Sequence, residues 1–290
     1  MSLTAALSHA PVAPVEAELG MAEFADIAAI MQKEARIHLS EVKRTLVHSR
    51  LSRRLRAHGI GSFRDYISFV HQDAAERQAL VIALTTNHTH FFREGHHFDH
   101  FRQVLMPHVK TRAREHGVRI WSAGCSSGEE IYTIAMCLLG RDRADAAWLK
   151  SGDIRLLATD ISTPMVEAAE RGIYSAAARD SIPEPYRSAW LRPHTDGFVM
   201  APEAKALVTA RTLNLFQDWP MRQLYDAIFC RNVMIYFDEK AKAELEVRLA
   251  ERLAPGGFLY IGHSERLIAP GRIGMSLVGQ TIYEKNGAAR

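Results

Sequence analysis

The 290-residue sequence is poor in cysteine and lacks a long apolar run. Its three cysteines are an odd number, which argues against a disulfide-bonded scaffold and favours a reducing compartment, the cytoplasm. The apolar runs, such as residues 80–84, are far too short to cross a bilayer, so we expect no membrane insertion. Residues 1–20 have no basic region and contain two prolines, which predicts a flexible N-terminal segment and not a secretion signal.

An excess of charge of one sign is also missing, since the net charge is only +3. Composition alone therefore does not predict a nucleic-acid partner, which requires concentrated positive charge. Residues 42–64 are the exception, because they contain seven Lys or Arg residues and no Asp or Glu. Apolar residues recur there at a four-residue spacing that is typical of a helix with one buried face. The basic face is either simply solvated or a docking surface for an acidic partner, and the second interpretation selects Arg50, Arg53, Arg54 and Arg56.

Two different patterns divide the chain. Residues 24–101 have helical spacing and no proline, which predicts a helical domain at 21–101 followed by a linker at 102–117. From residue 118 to 290, apolar strands alternate with helices, as in a parallel sheet covered on both faces. The predicted strands are 118–123, 154–159, 225–231 and 257–261, and the predicted helices are 128–139, 239–253 and one that begins near residue 162.

A proline-rich stretch interrupts this alternation. It contains short β-like pieces at 197–200 and 206–213. We therefore expect a small antiparallel β-subdomain, inserted at about residues 182–213.

The carboxyl ends of the predicted strands are where an open parallel sheet binds its ligand. A loop of small residues, 124–128, follows the first strand, and Asp160 ends the second, where a carboxylate can accept both hydroxyls of a ribose. The loop is not G-x-G-x-x-G, and no Walker lysine follows it, so neither a dinucleotide nor a nucleoside triphosphate is expected. Glu129 and Glu130 would repel a phosphate but suit a cofactor with a cationic amine and a sulfonium, although acids are also favoured by the helix dipole at such positions.

Four stretches resemble the CheR chemoreceptor methyltransferases: residues 85–93 (TTNHTHFFR), 121–130 (WSAGCSSGEE), 158–161 (ATDI) and 229–237 (FCRNVMIYF). The likeness runs from about residue 24 to residue 285, and the four stretches in this order are highly specific. The resemblance implies an α/β protein with an N-terminal all-helical domain and a class I, Rossmann-like methyltransferase domain that carries a β-subdomain. It also implies methyl transfer from S-adenosylmethionine to glutamate carboxylates of a chemoreceptor's cytoplasmic helical bundle, with S-adenosylhomocysteine as product.

The same resemblance implies roles for individual residues. Arg93 would orient the incoming carboxylate, and Tyr236 would donate a hydrogen bond to it or line the transfer path. Since a glutamate with a pKa of about 4.3 is already ionised at neutral pH, no general base is needed. The plainer alternatives are that Arg93 pairs with Glu94 and that Tyr236 packs in the core beside Phe237. The implied cofactor-binding residues are Asn87, Thr89, Arg93, Glu130, Asp160, Asn214, Leu215, Arg231 and Asn232.

Some features limit what the resemblance implies. The loop at 192–197 looks shorter than in family members that hold a receptor's C-terminal pentapeptide, so we do not expect that tether. His96 and His100 have the spacing of a metal pair but no well-placed third ligand, so we expect packing roles and no metal.

Two other functions stay open at this point. One is methyl transfer to a nucleic acid or a small molecule, and the other is a module that binds S-adenosylmethionine without turning it over. The sequence lacks an N-P-P-Y-like stretch and a Pro-Cys pair, and only the basic helix favours RNA. We therefore expect a monomer that acts on a receptor bundle and not on a nucleic acid.

Overall fold

The computed structural model describes residues 17–287, except for the side chains of residues 150 and 151. Most of the predicted flexible segment, residues 1–16, lies outside this range. The chain forms two compact units, residues 1–85 and 86–290. The predicted boundary at residue 101 is therefore too late. None of the helices described has the length and apolarity to cross a membrane.

The first unit is helical, and its helices are α1 (Met21–Ala35), α2 (Arg44–Ala57), α3 (Phe63–Gln72) and α4 (Ala74–Leu84). Ser62 and Asp73 cap α3 and α4, since each side chain accepts a hydrogen bond from a backbone N–H three residues on. Val47, Leu51 and Leu55 are fully buried on α2. The predicted helix with one apolar face is confirmed.

Glu76 on α4 is a buried acid at the centre of this unit, with 4% of its surface exposed. Its carboxylate accepts hydrogen bonds from Arg54 Nε at 2.9 Å and from the Tyr66 hydroxyl at 2.6 Å, and it contacts His58 Nε2 at 2.8 Å. Burial alone would raise the pKa of Glu76, but the hydrogen bonds from Arg54 and Tyr66 outweigh it and lower the pKa. This cluster joins α2, α3 and α4.

The second unit combines helices with two sheets. Its helices are α5 (Gly95–His100), α6 (Met106–Glu115), α7 (Glu129–Leu139), α8 (Thr163–Arg171), α9 (Glu184–Trp190), α10 (Pro202–Leu207) and α11 (Glu239–Arg252). Its strands are β1 (Val118–Ala123), β2 (Ile154–Asp160), β3 (Ile173–Tyr174), β4 (Leu191–His194), β5 (Gly197–Met200), β6 (Val208–Thr212), β7 (Tyr225–Cys230), β8 (Leu253–Ile261), β9 (Met275–Gly279) and β10 (Ile282–Lys285).

The linker predicted at 102–117 is mostly helical. A π-helical turn, Phe101–Leu105, joins α5 to α6, so the chain is helical from residue 95 to 115. Pro107 directly follows the π-helical turn, so the break in the α-helical hydrogen bonding falls where proline has no N–H to donate. The apolar residues Leu105 and Val109 are buried. Their burial makes this basic segment part of the fold.

The seven-stranded sheet has the order β6-β2-β1-β7-β8-β10-β9. Strands β6, β2, β1, β7 and β8 are parallel, and β10 is antiparallel to both of its neighbours. Alternate residues of β1 face opposite sides: Ile120 belongs to the core with α7, and Trp121 to the core with α11. The predicted α/β architecture is confirmed. The strand order reverses between β1 and β7, which places a crevice at their carboxyl ends.

The smaller sheet is antiparallel, in the order β3-β5-β4, and spans residues 173–200. The prediction of an inserted antiparallel sheet is confirmed, but the predicted range of 182–213 is wrong at both ends. Residues 208–212 form β6, which pairs in parallel with β2 in the large sheet and buries Ala210 there. A two-residue turn joins β4 to β5, because His194 pairs with Gly197.

Candidate functional site

The sequence stretches singled out above meet at the carboxyl edge of the large sheet. The 124–128 loop follows β1, Asp160 ends β2, and the 231–236 segment follows β7. These three strands are neighbours, with Ala123 beside Thr159 and Ser122 beside Phe229. The parallel order therefore brings together residues that lie far apart in the sequence.

The 124–128 loop is tightly shaped. Gly124 has a φ of +83°, and a Cβ on it would lie 2.5 Å from Val233 Cγ2, so no other residue fits there without strain. Asp160 fixes the loop, because its Oδ2 accepts a hydrogen bond from Ser126 N at 2.9 Å and its Oδ1 one from Ser162 N at 2.9 Å. Burial raises the pKa of Asp160. The backbone N–H of Ile161 is a third donor to this carboxylate. A carboxylate has about four acceptor sites, so Asp160 can still accept a ribose hydroxyl.

The two adjacent glutamates have different surroundings. Glu130 Oε1 accepts a hydrogen bond from Ser122 Oγ at 2.7 Å, and Oε2 accepts one from Arg231 Nη1 at 2.8 Å. Glu129 is 9% exposed and accepts a hydrogen bond from Ser127 Oγ at 2.7 Å. Burial raises the pKa of Glu129, and within residues 17–287 no Lys or Arg lies within ion-pairing distance of it. A buried carboxylate without a cationic partner fits a positively charged cofactor better than a phosphate. Sequence reasoning pointed to both acids but placed only Glu130 in the cofactor set.

Arg231 connects the segment before α5 to the end of β7. Its side chain is 3% exposed, it donates to Glu130 and to the backbone carbonyl of Arg93, and it lies 3.3 Å from Glu94 Oε2. The backbone of Arg93 is thereby held beside Arg231. The Arg93 side chain is partly exposed, and its Nη1 donates to the His88 carbonyl at 2.9 Å. In the part of the chain that the structure describes, Arg93 forms no ion pair with Glu94. The structure thus brings Arg93, Glu130 and Arg231 together.

Glu94 is a residue that sequence reasoning considered only as a partner for Arg93. Its carboxylate also accepts a hydrogen bond from Asn232 Nδ2 at 3.4 Å and contacts His263 Nδ1 at 3.0 Å. Burial would raise the pKa of Glu94, but the Arg231 guanidinium and the His263 contact outweigh it and lower the pKa to about 2. Its place directly after Arg93, one residue past the end of a recognised stretch, was the available signal.

The histidines of this region contact several elements. His100 Nδ1 lies 3.0 Å from the Tyr260 hydroxyl, and His96 Nε2 lies 3.2 Å from the Gln280 carbonyl. His97 is fully buried, its Nε2 lies 2.9 Å from Thr281 Oγ1, and burial lowers its pKa to about 3.

Glu94, His96 and His97 offer ligand atoms within 4.8 Å of one another, the one group of metal-ligand type found among the described residues. The Arg231 guanidinium lies against the same carboxylate and would repel a cation. That no metal is needed stays a prediction.

Besides Arg231, the segment after β7 carries two predicted site residues, Asn232 and Tyr236. Asn232 has a left-handed backbone with a φ of +58°, and Tyr236 ends the short 3-10 helix Met234–Tyr236 and is partly exposed. Phe237 packs edge-on against Phe216, with ring centroids 4.9 Å apart. Glu265, which sequence reasoning missed, accepts hydrogen bonds from two backbone N–H groups of this segment.

The remaining predicted cofactor residues lie in two irregular segments of the second unit. Asn214 and Leu215 follow β6; Asn214 Oδ1 accepts a hydrogen bond from Phe216 N at 2.9 Å, and the Leu215 carbonyl accepts one from Arg248 Nη1 at 2.7 Å. Asn87 and Thr89 are partly exposed in the segment that leads to Arg93. All nine predicted cofactor residues therefore belong to the second unit.

The four arginines predicted to bind substrate lie on α2, in the first unit. Arg50 Nη1 donates to the Thr85 carbonyl at 2.6 Å, and Arg56 Nε donates to the Ser52 carbonyl at 3.1 Å. Arg54 is bound to the buried Glu76, whereas Arg53 is exposed. The basic face thus combines an arginine that holds the fold together with others that reach solvent.

Comparison with known proteins agrees with this geometry. Residues 22–85 match the family model for the CheR methyltransferase all-alpha domain, and residues 87–281 match the CheR methyltransferase SAM binding domain. The probable chemotaxis protein methyltransferase of Rhizobium etli is 40% identical over 261 residues, which cover 88% of this chain and 96% of that protein. The chemotaxis protein methyltransferases of Klebsiella aerogenes and Escherichia coli are 40% and 38% identical over 272 residues, which cover 91% of this chain and 90% and 91% of those proteins. The chain therefore belongs to the CheR methyltransferase family and is an S-adenosylmethionine-dependent methyltransferase.

Proposed function

We propose that this enzyme methylates glutamate side chains in the cytoplasmic helical bundle of a chemoreceptor and leaves glutamate methyl esters. The observation that carries the proposal is the Arg231 bridge, which joins the acid at the start of α7 to the backbone of Arg93. The Arg93 guanidinium, beside the proposed cofactor site, is suited to a carboxylate acceptor, because its planar fork matches two carboxylate oxygens. The names of the relatives, chemotaxis protein methyltransferases, support the choice of a receptor.

The chemistry assigned to the chain is orientation, charge complementarity and exclusion of water. Bound S-adenosylmethionine supplies an electrophilic methyl carbon on a positively charged sulfur. Glu129 and Glu130 balance the positive charge of the donor, and Asp160 accepts its ribose hydroxyls. Arg93 holds the substrate carboxylate in line, with Tyr236 beside it. Because the carboxylate is already ionised, orientation is the main task, and good orientation lowers a barrier by roughly 7–11 kcal/mol in favourable cases.

The basic face of α2 is proposed to bind the receptor. Arg53 and Arg56 are the exposed members of the predicted set, and an acidic helix bundle is a complementary partner. Reversing both charges is expected to raise the apparent KM for the receptor and to leave the affinity for S-adenosylhomocysteine unchanged. If the affinity for S-adenosylhomocysteine fell as much as the apparent KM for the receptor rose, the role of α2 would be structural and not receptor recognition.

The remaining parts of the proposal concern the setting. We propose that the enzyme acts as a monomer in the cytoplasm, without a metal, and that it has no nucleic-acid substrate. The target bundle is cytoplasmic. The ordinary net charge of +3 gives no support to a nucleic-acid role.

The decisive experiment uses labelled S-adenosylmethionine and a receptor cytoplasmic fragment. Label that mild alkali releases as a volatile methyl product identifies an ester, because N-methyl groups survive that treatment. Base-stable label, or label that requires RNA, would overturn the proposed acceptor. Cofactor binding without transfer to any receptor fragment would instead support a sensing module.

The matched variants are Arg93→Ala and Arg93→Lys, with Arg143→Ala as a control. Arg143 is an exposed arginine of the second unit that pairs with Glu203 at 2.8 Å and lies over the Trp190 ring. Transfer is expected to fall strongly in Arg93→Ala, to recover little in Arg93→Lys, and to be normal in the control. Near-normal turnover of Arg93→Ala at saturating cofactor would remove Arg93 from the mechanism.

A further inference from the structure

We propose that Glu265 is a positioning residue, whose carboxylate holds the segment after β7, with its site residues Asn232 and Tyr236, in the conformation that methyl transfer requires. This inference rests on the proposed roles of Asn232 and Tyr236. It adds a residue from the loop after β8, which lies outside the predicted site.

Glu265 makes three hydrogen bonds to backbone N–H groups of two loops. Oε2 accepts hydrogen bonds from Asn232 N at 3.0 Å and from Gly262 N at 2.5 Å, and Oε1 accepts one from Ile235 N at 3.2 Å. The residue is 2% exposed. One carboxylate therefore joins the segment after β7 to the loop after β8 through backbone groups alone. Such groups are costly to bury without a partner.

The loop after β8 and the segment after β7 approach each other closely at Gly262. A Cβ on Gly262 would lie 2.4 Å from Asn232 Nδ2, 2.8 Å from Asn232 N and 2.8 Å from Glu265 Oε2. The absence of a side chain at residue 262 is what lets the carboxylate reach both backbones. Very little displacement can be accommodated at this junction.

The segment after β7 has an unusual backbone conformation at Asn232. Asn232 is left-handed, a conformation that costs energy outside glycine and persists when the surroundings enforce it. Two hydrogen bonds to Glu265 fix the N–H groups of Asn232 and Ile235, which flank the turn that leads to Tyr236. Glu265 therefore fixes the backbone from which the side chains of Asn232 and Tyr236 extend.

The test is Glu265→Gln in the full-length protein, because glutamine keeps the shape but places an amide NH2 against a backbone N–H. Calorimetry with S-adenosylhomocysteine and steady-state transfer to a receptor fragment give its Kd, kcat and KM. We expect the Kd to rise and kcat to fall by about tenfold or more, the scale of one lost hydrogen bond to a buried charge.

The matched control is Glu246→Gln. Glu246 on α11 is also a buried acid, 3% exposed, and it also accepts a hydrogen bond from a backbone N–H, that of Ile268 at 3.0 Å. It lies on the helix side of β8 and holds no predicted site residue. We expect a similar loss of stability in urea but a Kd and kcat close to those of the unchanged protein. If the two variants lose the same stability and both bind and turn over normally, Glu265 is only structural and the proposal fails.

Gly262→Ala keeps the test decisive if Glu265→Gln does not fold. The added methyl group pushes on Asn232 without removing a charge, so we expect the same rise in Kd and fall in kcat. Normal values in a folded Gly262→Ala protein would overturn the proposal. The two proposals can fail separately. If the unchanged protein forms no ester on a receptor, the proposed function fails. The Kd of the Glu265 variant for S-adenosylhomocysteine still tests the positioning role in that case.

Discussion

Arg231 has three acceptors around one buried guanidinium: Glu130, Glu94 and the Arg93 carbonyl. Arg231→Ala would leave two largely buried carboxylates without their cation. Breaking a buried ion pair on one side costs about 3–5 kcal/mol, so we expect a loss of that size in the free energy of unfolding, measured in urea.

Arg231→Lys is the informative companion variant. An ammonium is a point charge and cannot serve three acceptors in different directions, so we expect partial recovery of stability and little recovery of transfer. An unchanged urea midpoint in Arg231→Ala would show that the bridge contributes nothing to stability.

His97 gives a second residue-scale prediction, for pH. Burial lowers its pKa to about 3, whereas an unfolded histidine titrates near 6.5. Below about pH 6.5 the unfolded chain binds a proton that the folded one refuses, so His97 reduces stability as the pH falls from about 7 to about 5. In His97→Gln this contribution is gone, and the unfolding free energies of the two proteins should converge over that range. Parallel curves would mean that His97 binds a proton in the folded protein as readily as in the unfolded chain. Glu94 titrates at lower pH and does not interfere.

The sequence predicted the identities of many of these residues but not their partners. Arg93, Glu130, Asp160 and Arg231 were selected because they stand in recognisable stretches. Glu94 was considered only as a partner of Arg93, and Glu265 was missed, because a carboxylate that accepts hydrogen bonds from distant parts of the chain has no characteristic spacing in the sequence.

The loop between β1 and α7 shapes the proposed cofactor site at the carboxyl edge of the large sheet. Gly124→Ala forces a side chain into left-handed backbone and against Val233. We expect a loss of about 1–3 kcal/mol in unfolding free energy, together with weaker binding of S-adenosylhomocysteine by calorimetry.

Gly256→Ala separates the two causes of that loss. Gly256 has a φ of +75°, but a Cβ there would meet nothing within 4 Å, so only the backbone cost remains. We expect a smaller loss of stability and normal binding. Equal effects of the two substitutions would mean that contact with Val233 is unimportant.

At the same scale, regular elements were predictable where burial follows a simple period. The predicted ends of β1 coincide with the observed ones, and those of β2, β7, α7 and α11 differ by a single residue. The 102–117 segment failed because a basic stretch with a proline is compatible with both a linker and an amphipathic helix. Strand β6 was assigned to the wrong sheet because alternation indicates a strand but not its neighbour.

For the whole molecule, the buried Glu76 cluster and the predicted cofactor residues lie in different units. Arg54→Ala removes the main cation from the buried Glu76, and we expect the first unit to lose about 2–3 kcal/mol of stability. The nine predicted cofactor residues lie in the second unit, so the Kd for S-adenosylhomocysteine should not change. Urea unfolding and calorimetry measure the two effects.

The exposed neighbour Arg53 is the control. Arg53→Ala should change neither stability nor the Kd, since surface charges contribute little to stability. If Arg54→Ala weakened cofactor binding as much as it weakened the fold, the two units would not be independent in function.

By itself the sequence determined the composition of the parts: a helical segment with a basic face, an alternating α/β region, a loop of small residues after its first strand, and acids placed for a cationic cofactor. Those properties are local, because they depend on residue type and spacing along a few turns or one strand. Only the tertiary structure decided which charges are available and which are held. The same arginine-rich helix contains Arg53, which reaches solvent, and Arg54, which is bound to Glu76. Likewise, the order of the parallel strands brought Glu265 under the segment that carries Asn232, since residues on separate strands become neighbours only when the sheet forms.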